Sequence, residues 1–268
     1  MQPGDWLTPH WPAPASVRAL CTTRSGGQSQ PPYDSLNLGD HVGDDPADVR
    51  ANRAVLGQAL GARPVFLQQV HGTQVQALDA ATADGVQADA CLATQPGVAC
   101  TIMVADCLPV LFTHTQGTVV AAAHAGWRGL AGQGGRGVLE HTTEAFLAAA
   151  RTDTAWGATK TIAFESSEMM AWLGPCIGPQ AFEVGDEVRA AFMAHDPRAA
   201  RCFQPHGAGK WLADLQALAR QRLAALGIQQ IYGNDGSPDW CTVSNPLRFF
   251  SHRRDRVSGR LAACIWRV

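Results

Sequence analysis

The 268-residue chain lacks the excess positive charge that a nucleic-acid-binding protein carries. Its 21 Lys and Arg residues nearly balance 23 Asp and Glu residues, so the formal net charge is −2 at pH 7. Binding to duplex phosphates depends on a dense basic surface. We therefore expect no nucleic-acid partner. The basic cluster at residues 248–260 has the pattern of a solvated loop with local ion pairs.

The sequence also lacks a membrane-spanning run and paired cysteines. Its longest apolar stretch, residues 98–112, is interrupted by Asp106 and is shorter than the roughly 20 residues that span a bilayer. Residues 1–6 have no basic segment followed by an apolar one, so we expect no signal peptide. The eight cysteines form no C-x-x-C pair, which is typical of reduced thiols in a chain of this length. We expect a cytoplasmic protein with no membrane partner.

The remaining composition is that of a folded α/β protein. Hydrophobic residues make up 46% of the chain, which is enough for a sizeable core. Asp45-Pro46 predicts a capped helix that runs to about Leu60, and residues 214–226 have an amphipathic helical pattern. Short β-branched runs alternate with these helices and predict strands, among them 249–251. A further helix is predicted after Gly129, with the Gly-rich run 132–137 inside it, and no linker or repeat divides the chain. The sequence predicts one mixed α/β domain over residues 1–268, with the polar segment 151–168 as a candidate mobile insertion.

Three separated cassettes carry the candidate chemistry. His71, Cys107 and His124 each follow a short apolar run, where the end of a strand would deliver a side chain into a cleft. Catalytic zinc sites have three protein ligands and one open position, whereas structural zinc sites have four ligands. The three residues together therefore favour a metalloenzyme. Taken singly, each also fits a structural role, as a buried small thiol or a turn histidine.

Four motifs in the chain resemble those of a known family. They are Gln69-Val70-His71-Gly72, Ala105-Asp106-Cys107-Leu108-Pro109-Val110, Ala123-His124-Ala125-Gly126-Trp127-Arg128-Gly129 and Gly174-Pro175-Cys176-Ile177-Gly178-Pro179. This set is similar to the signatures of the laccase-domain family, also called multicopper polyphenol oxidoreductase, purine nucleoside phosphorylase or peptidoglycan editing factor. The resemblance runs from about Cys21 to Val268. The Gly-rich run at 132–137 and the long polar stretch at 151–170 depart from it.

The resemblance implies a fold, a metal and a reaction. The fold would be a four-layer α/β/β/α sandwich with mixed sheets, similar to bacterial toxin deamidases with a Cys-His site. One zinc ion, with copper as the alternative, would bind at His71, Cys107 and His124. The implied reactions are phosphorolysis of adenosine, inosine, guanosine or methylthioadenosine, and deamination of adenosine. The partners would be purine nucleosides and phosphate, and the chain would be a monomer or a weak homo-oligomer.

Further site residues follow from that expectation. Asp106 would join the three ligands in catalysis, by relaying protons or by orienting a metal ligand. Arg128 lies beside the third cassette at a predicted helix start, where an anion is favoured, and a structural ion pair is the alternative role. Arg53 and Arg254 are additional candidates for binding phosphate. Asn37 matches a family position near the substrate, and its alternative role is that of a turn residue.

Other activities stay open at this point. A His₂Cys set suits one copper ion, but a polyphenol oxidase with several coppers needs closely spaced histidines, and the nine histidines here include no H-x-H pair. A Cys-His hydrolase would use Cys107 as nucleophile and His124 as base, and would fit editing of peptidoglycan precursors. A non-catalytic partner protein is disfavoured because all three ligand cassettes are intact.

Overall fold

The computed structural model describes residues 5–151 and 164–268, so most of the 151–168 segment lies outside the described residues. The strands are β1 (Val17–Cys21), β2 (Arg63–Phe66), β3 (Val75–Leu78), β4 (Ala90–Ala93), β5 (Val98–Val104), β6 (Leu108–His114), β7 (Val120–Ala125), β8 (Met169–Leu173), β9 (Glu183–Gly185), β10 (Phe203–Pro205), β11 (Lys210–Ala213), β12 (Gln230–Gly233) and β13 (Leu261–Arg267). The α-helices are α1 (Pro46–Leu60), α2 (Trp127–Ala131), α3 (Val138–Arg151), α4 (Asp186–Met193), α5 (Leu215–Ala225) and α6 (His252–Asp255).

Two mixed sheets form the centre of the molecule. One has four strands in the order β1-β13-β5-β2, in which only β2 pairs in parallel with its neighbour. The other has six strands in the order β12-β8-β6-β7-β4-β3, with antiparallel pairing at its centre and parallel pairing at both edges. A small antiparallel sheet, β10-β11-β9, lies outside these two. The strand arrangement confirms a mixed-sheet α/β fold.

Successive side chains of β5 point to opposite faces of its sheet, and this shows how the layers stack. Cys100 and Ile102 face a core that the four-stranded sheet shares with the six-stranded sheet. Ala99 and Met103 point the other way, into a cluster that includes residues of α1. Strands buried on both faces are apolar throughout, which explains the uninterrupted run from 98 to 104.

A third apolar cluster closes the outer face of the six-stranded sheet. It joins Val110 and Phe112 of β6 to Phe146 of α3 and to Leu218 and Leu223 of α5. The layer order is therefore helix, sheet, sheet, helix, which confirms the expected four-layer α/β/β/α sandwich in a single domain. None of the helices in the described ranges combines the length and the hydropathy that a membrane span requires.

The best-capped helices agree with the sequence. The Asp45 side chain accepts a hydrogen bond from the N–H of Ala47 at the start of α1, and that helix ends at Gly61, where φ is 61°. The Asp214 side chain caps α5 in the same way, through the N–H of Ala217. Both caps satisfy amide groups that a helix leaves unpaired at its first turn.

Two local predictions were wrong. The Gly-rich run at 132–137 does not lie within one helix but separates α2 from α3, because Gly132, Gly134 and Gly135 adopt positive φ, which helical residues cannot adopt. The segment 249–251 is not a strand. Phe249 and Phe250 are buried in the core between the two sheets, and the chain then turns directly into α6.

Candidate active site

Neighbouring elements of the six-stranded sheet bring the three cassette residues together. His124 lies within β7, and Cys107 immediately precedes β6, whose residue Pro109 pairs with His124. His71 comes from the loop between β2 and β3. Their ligand atoms all lie within 4.8 Å of one another, and Cys107 Sγ is 3.6 Å from His71 Nε2. The structure therefore assembles a His-Cys-His set that could hold a metal ion.

The spacing of these donors fits a single zinc-sized ion. Zn–S and Zn–N bonds of about 2.3 and 2.0–2.1 Å at a tetrahedral angle place sulfur and nitrogen about 3.6 Å apart, which matches the Cys107–His71 distance. Gly126 leaves room for this approach. A Cβ atom at that position would lie 2.7 Å from His71 Cδ2 and 3.0 Å from Cys107 Sγ. The residues present therefore fit the metal that the resemblance implies.

Asp89 is the residue that connects the two histidines. It is fully buried, and its Oδ1 lies 2.9 Å from Nδ1 of His124. The same carboxylate accepts hydrogen bonds from the backbone N–H groups of Val70, His71 and Gly72, at 3.2, 2.8 and 2.6 Å. A carboxylate on the distal ring nitrogen fixes the tautomer and orientation of a metal-ligating histidine. Asp89 thus leaves the Nε2 of His124 facing the ligand set.

The backbone at His71 is unusual for a non-glycine residue. Its φ is 60°, in the left-handed region that costs energy for residues with a Cβ atom. The three successive N–H groups that converge on Asp89 hold the loop in this conformation. Asp89 therefore positions one ligand through its side chain and the other through its backbone.

Charges in the site favour a thiolate at Cys107. Burial alone would raise the pKa of this thiol, but the charge of His124 and hydrogen bonds from His124 and His71 outweigh burial and lower the pKa to about 6. Burial would lower the pKa of His124, but the thiolate of Cys107 and the carboxylate of Asp89 raise it to about 9. Thiolates, rather than thiols, are metal ligands and nucleophiles.

Asp106 faces the same cavity, but its carboxylate is already engaged. It accepts hydrogen bonds from Thr242 Oγ1 and from the backbone N–H of Arg253, both at 2.6 Å. Its backbone oxygen accepts from the N–H of Ile177 at 2.9 Å, and its φ is 89°. No hydrogen bond joins this side chain to a ligand histidine in the part of the chain that the structure describes. Asp106 ties the Cys107 turn to the start of α6.

The ligand set opens into a cavity of about 400 Å³ that is rich in arginine. Arg253, Arg256 and Arg260 line it, together with His41 and the apolar side chain of Phe182. The basic cluster at 248–260 is therefore not simply a solvated loop. Half-buried Arg260 lies close enough to Cys107 and Asp106 to feel their charge, although burial lowers its pKa overall.

The three arginines predicted from the sequence, Arg53, Arg128 and Arg254, do not line this cavity. Arg254 donates to the backbone oxygens of Thr242, Val243 and Phe249 and pairs with Asp255. Its contacts hold the loop before α6. Arg128 lines a neighbouring cavity and lies over the ring of Trp127, with its guanidinium carbon 4.5 Å from the ring centroid.

Arg53 lies within α1 and binds the segment that precedes this helix, and Asn37 belongs to that segment. Arg53 donates to the backbone oxygen of Leu38 at 2.9 Å and stacks on Phe66 at 3.9 Å. It lines a third cavity, which shares His41 and Gln69 with the arginine-rich one. Asn37 is fully buried, and its side-chain oxygen accepts from the N–H groups of Gly39 and Arg260. Asn37 thereby anchors the backbone of Arg260, which immediately precedes β13.

Sequence reasoning missed Asp89 and all three arginines that line the cavity. Asp89 directly precedes the apolar run Ala90–Ala93, and an acid at the edge of a buried strand is the same signal that singled out Asp106. For Arg253, Arg256 and Arg260 the signal was their density near the C-terminus, but sequence alone could not show which of these side chains turn inward.

Comparison with known proteins places the chain in a family. The family described as "Multi-copper polyphenol oxidoreductase laccase" matches residues 18–268. The chain belongs to this family. A Pseudomonas aeruginosa protein named purine nucleoside phosphorylase is 49% identical over 262 residues, which cover 97% of this chain and 98% of that protein. The Escherichia coli protein named purine nucleoside phosphorylase YfiH is 48% identical, with 98% of each chain covered.

Solved structures of family members share the same fold. A Neisseria meningitidis protein superimposes with a TM-score of 0.87 at 47% identity, covering 98% of this chain and 99% of that chain. YlmD from Geobacillus stearothermophilus superimposes with a TM-score of 0.80 at 32% identity, covering 100% and 98% of the two chains. The chain therefore shares its four-layer architecture with these two proteins.

Proposed function

We propose that the protein is a zinc-dependent purine nucleoside phosphorylase that also deaminates adenosine. The relatives named purine nucleoside phosphorylase support the reaction class. The observation that carries the proposal is the meeting of two features in one cavity. The three residues of the His-Cys-His set line the cavity, and Arg253, Arg256 and Arg260 line it as well. Phosphorolysis requires both a polarising group for the base and a binding site for phosphate.

The arginines supply the binding site for the phosphate nucleophile. Guanidinium groups bind phosphate oxygens through paired, charge-assisted hydrogen bonds. Arg253 is held by a hydrogen bond to the backbone oxygen of Glu183 at 3.0 Å, and Arg260 by bonds to the backbone oxygens of Ser258 and Gly259. The side chain of Arg256 makes no hydrogen bond or ion pair to the described residues, which leaves its donors available for an anion.

The cavity also suits a purine nucleoside. Its volume of about 400 Å³ lies within the range of about 300–1,000 Å³ that is typical of small-molecule sites. Ile177, Phe182 and Met103 give it an apolar wall, which fits a planar base. With phosphate on the arginines, an oxygen of phosphate attacks C1′ of the ribose. The C1′–N9 bond breaks, and the proton from phosphate ends on the purine, which leaves the free base and ribose 1-phosphate.

The three candidate metal ligands provide the other part of the proposed chemistry, because they would hold the zinc ion. A zinc ion at His71, Cys107 and His124 would act as a Lewis acid and would lower the pKa of water, as deamination requires. Asp89 holds the ring of His124 and the loop of His71 in the orientation that such an ion needs. In deamination, water adds at C6 of adenosine and ammonia leaves, so the same cavity serves both reactions without phosphate taking part in the second.

A panel of nucleosides tests this proposal. Purified protein is incubated with adenosine, inosine, guanosine or methylthioadenosine, with and without phosphate, and its metal content is measured by elemental analysis. We expect free base and the corresponding sugar 1-phosphate in equal amounts only when phosphate is present, with ribose 1-phosphate from the first three nucleosides and 5-methylthioribose 1-phosphate from methylthioadenosine. We also expect inosine from adenosine in either case, and one zinc per chain. One copper per chain would replace zinc as the assigned metal, and oxidation of a polyphenol by the same sample would then be measured.

A second candidate is a metal-independent Cys-His hydrolase, for example one that edits peptidoglycan precursors. The arrangement that favours it is the chain of contacts from Asp89 to His124 to Cys107, since an acid, an imidazole and a thiol in this order activate a cysteine nucleophile. Treatment with a chelator separates the two candidates. The hydrolase would keep full activity, whereas the phosphorylase would lose its activity and recover it when zinc is restored.

A further inference from the structure

A second cavity adjoins the active site and has no role in the proposed reaction. Its volume is about 550 Å³, compared with about 400 Å³ for the active-site cavity. His71 is the one lining residue that the two cavities share. The second cavity is bounded by α2 and by the Gly-rich run at 132–137, the segment that departs from the family resemblance. This volume is sufficient for a small metabolite.

The lining of the second cavity contains two arginines, Arg128 and Arg136, and no carboxylate. His71 and His141 also line it. Arg128 rests on the ring of Trp127 but makes no hydrogen bond or ion pair to any residue in the described ranges. A guanidinium has five N–H donors in a rigid fork. Arg128 is exposed, and it offers the cavity a cation that lacks an anionic partner among the described residues.

A second arginine reinforces this charge. Arg136 binds Glu144 through a single nitrogen, Nη2, which lies 2.6 and 2.7 Å from the two carboxylate oxygens. The other N–H groups of the Arg136 guanidinium have no partner among the described residues. His141 donates its Nδ1–H to the backbone oxygen of Gly137 at 2.9 Å, which fixes the orientation of its ring. The cavity thus presents the guanidinium N–H donors of Arg128 and Arg136 to whatever enters it.

The Gly-rich rim of the second cavity is held in place from beneath. Buried Glu140 accepts a hydrogen bond from the N–H of Gly137 at 2.7 Å and pairs with buried Arg222 at 2.9 Å. Arg222 also donates to the backbone oxygen of Gly135. A Cβ atom at Gly132 would overlap the backbone of Arg136, so this turn can form only with glycine there. The rim is therefore a built structure and not a loose loop.

We propose that this cavity is a second anion site, and that it binds the phosphate group of a small phosphate monoester. Phosphate oxygens match the fork of Arg128. The space left after a phosphate is seated fits a sugar or a nucleoside, and Trp127 offers an apolar surface beside it. Both a sugar phosphate and a nucleotide present this chemistry. The site is independent of the arginines assigned to the phosphate that takes part in the reaction.

Calorimetric titration of the zinc-loaded protein tests the second site. The probes are adenosine 5′-monophosphate and ribose 5-phosphate, with ribose as the neutral counterpart of the sugar phosphate. We expect two classes of phosphate-dependent binding in the unmodified protein. Arg128→Gln should weaken one class about tenfold, the loss expected for one charge-assisted contact, and Arg128→Lys should weaken it less. Tighter binding of one probe than of the other identifies the source of the phosphate.

Three comparisons complete the test. Arg201→Gln, which alters an exposed arginine outside both cavities, should leave both classes unchanged. Arg260→Gln should weaken the other class and raise the phosphate requirement of phosphorolysis. Zinc content and melting temperature show whether each variant is folded. The proposal is overturned if the unmodified protein has one class of sites that Arg260→Gln removes, or if Arg128→Gln binds both probes normally. Either result leaves the proposed phosphorolysis to be judged from its own products.

Discussion

The buried carboxylate of Asp89 accepts a hydrogen bond of 2.9 Å from Nδ1 of His124 while it binds the N–H of His71 at 2.8 Å. One side chain thus sets the position of two of the three candidate metal ligands. This dual contact explains how a loop residue with φ of 60° meets a strand residue in a fixed geometry. It also makes Asp89 a positioning residue whose loss should affect metal binding before it affects any other property.

Replacing Asp89 should weaken the metal site strongly. In Asp89→Asn we expect zinc affinity to fall about 10- to 100-fold, the usual consequence of removing the acid behind a ligating histidine. Competition with a chromophoric chelator measures this affinity. The matched control is Asp84→Asn, because Asp84 also accepts a backbone N–H, from Phe66 at 3.0 Å, but lies outside the site. Equal zinc affinities in the two variants would contradict the positioning role.

Removal of the thiol tests the ligand set itself. Cys107→Ala should lose stoichiometric zinc, because two histidines rarely suffice to hold zinc tightly, while circular dichroism shows a retained fold. Cys91→Ala is the control, since Cys91 is buried in the core between the sheets and should keep its zinc. Stoichiometric zinc in Cys107→Ala would sink the assignment of this residue as a ligand.

Arg256 should matter for phosphate and not for the metal. Its side chain lines the active-site cavity without a protein partner among the described residues. We expect Arg256→Gln to raise the KM for phosphate about tenfold, because one charge-assisted hydrogen bond contributes roughly 1.5–3 kcal/mol. Steady-state kinetics at varied phosphate, with zinc content measured on the same sample, gives both values. A KM equal to that of Arg201→Gln would exclude Arg256 from the phosphate site.

Asp106 should affect phosphate binding indirectly, by positioning the segment 248–260 that carries the cavity arginines. Its carboxylate binds Thr242 and the N–H of Arg253, so Asp106→Asn should disturb the start of α6 and raise the KM for phosphate while zinc stays bound. A proton-relay role makes a different prediction, namely a fall in kcat with an unchanged KM for phosphate. Measuring both constants in one experiment therefore decides between positioning and proton transfer.

The buried ion pair that supports the Gly-rich run should contribute strongly to the free energy of unfolding. Glu140 and Arg222 are both buried, and removing one member of a buried pair costs about 3–5 kcal/mol because the other charge is left without a partner. We expect this loss in the free energy of unfolding of Glu140→Gln, measured with denaturant. Glu144→Gln breaks the exposed pair with Arg136 and should cost about 1 kcal/mol or less. Similar losses in both variants would contradict the structural role of the buried pair.

Much of the fold was predictable because its signals are local. The capped start of α1, the apolar run of β5 and the helical pattern of α5 each depend on neighbouring residues, and each was found where the sequence predicts it. The break between α2 and α3 also has a local cause, namely glycines with positive φ. The sequence predicts one helix across this run, because residue types alone do not show which glycines adopt positive φ.

The site was predictable only in part. The His-Cys-His set could be predicted because each ligand lies in a motif that resembles a family signature. Asp89 and His124 are 35 residues apart, and Asp106 and Arg253 are 147 residues apart, so no local pattern reports either contact. Which arginines of 248–260 face the cavity depends on the path of the chain through α6 and on to β13. Residue types alone do not define that path.

The most direct test of the account is the source of the oxygen on C1′ of the released sugar. Inosine is incubated with the zinc-loaded protein and phosphate labelled with ¹⁸O, and the sugar product is analysed by mass spectrometry. The account predicts ribose 1-phosphate in which the C1′ oxygen carries the label, in an amount equal to hypoxanthine, and neither product from Cys107→Ala. Unlabelled free ribose, or hypoxanthine released at the same rate without phosphate, would contradict phosphorolysis at this site.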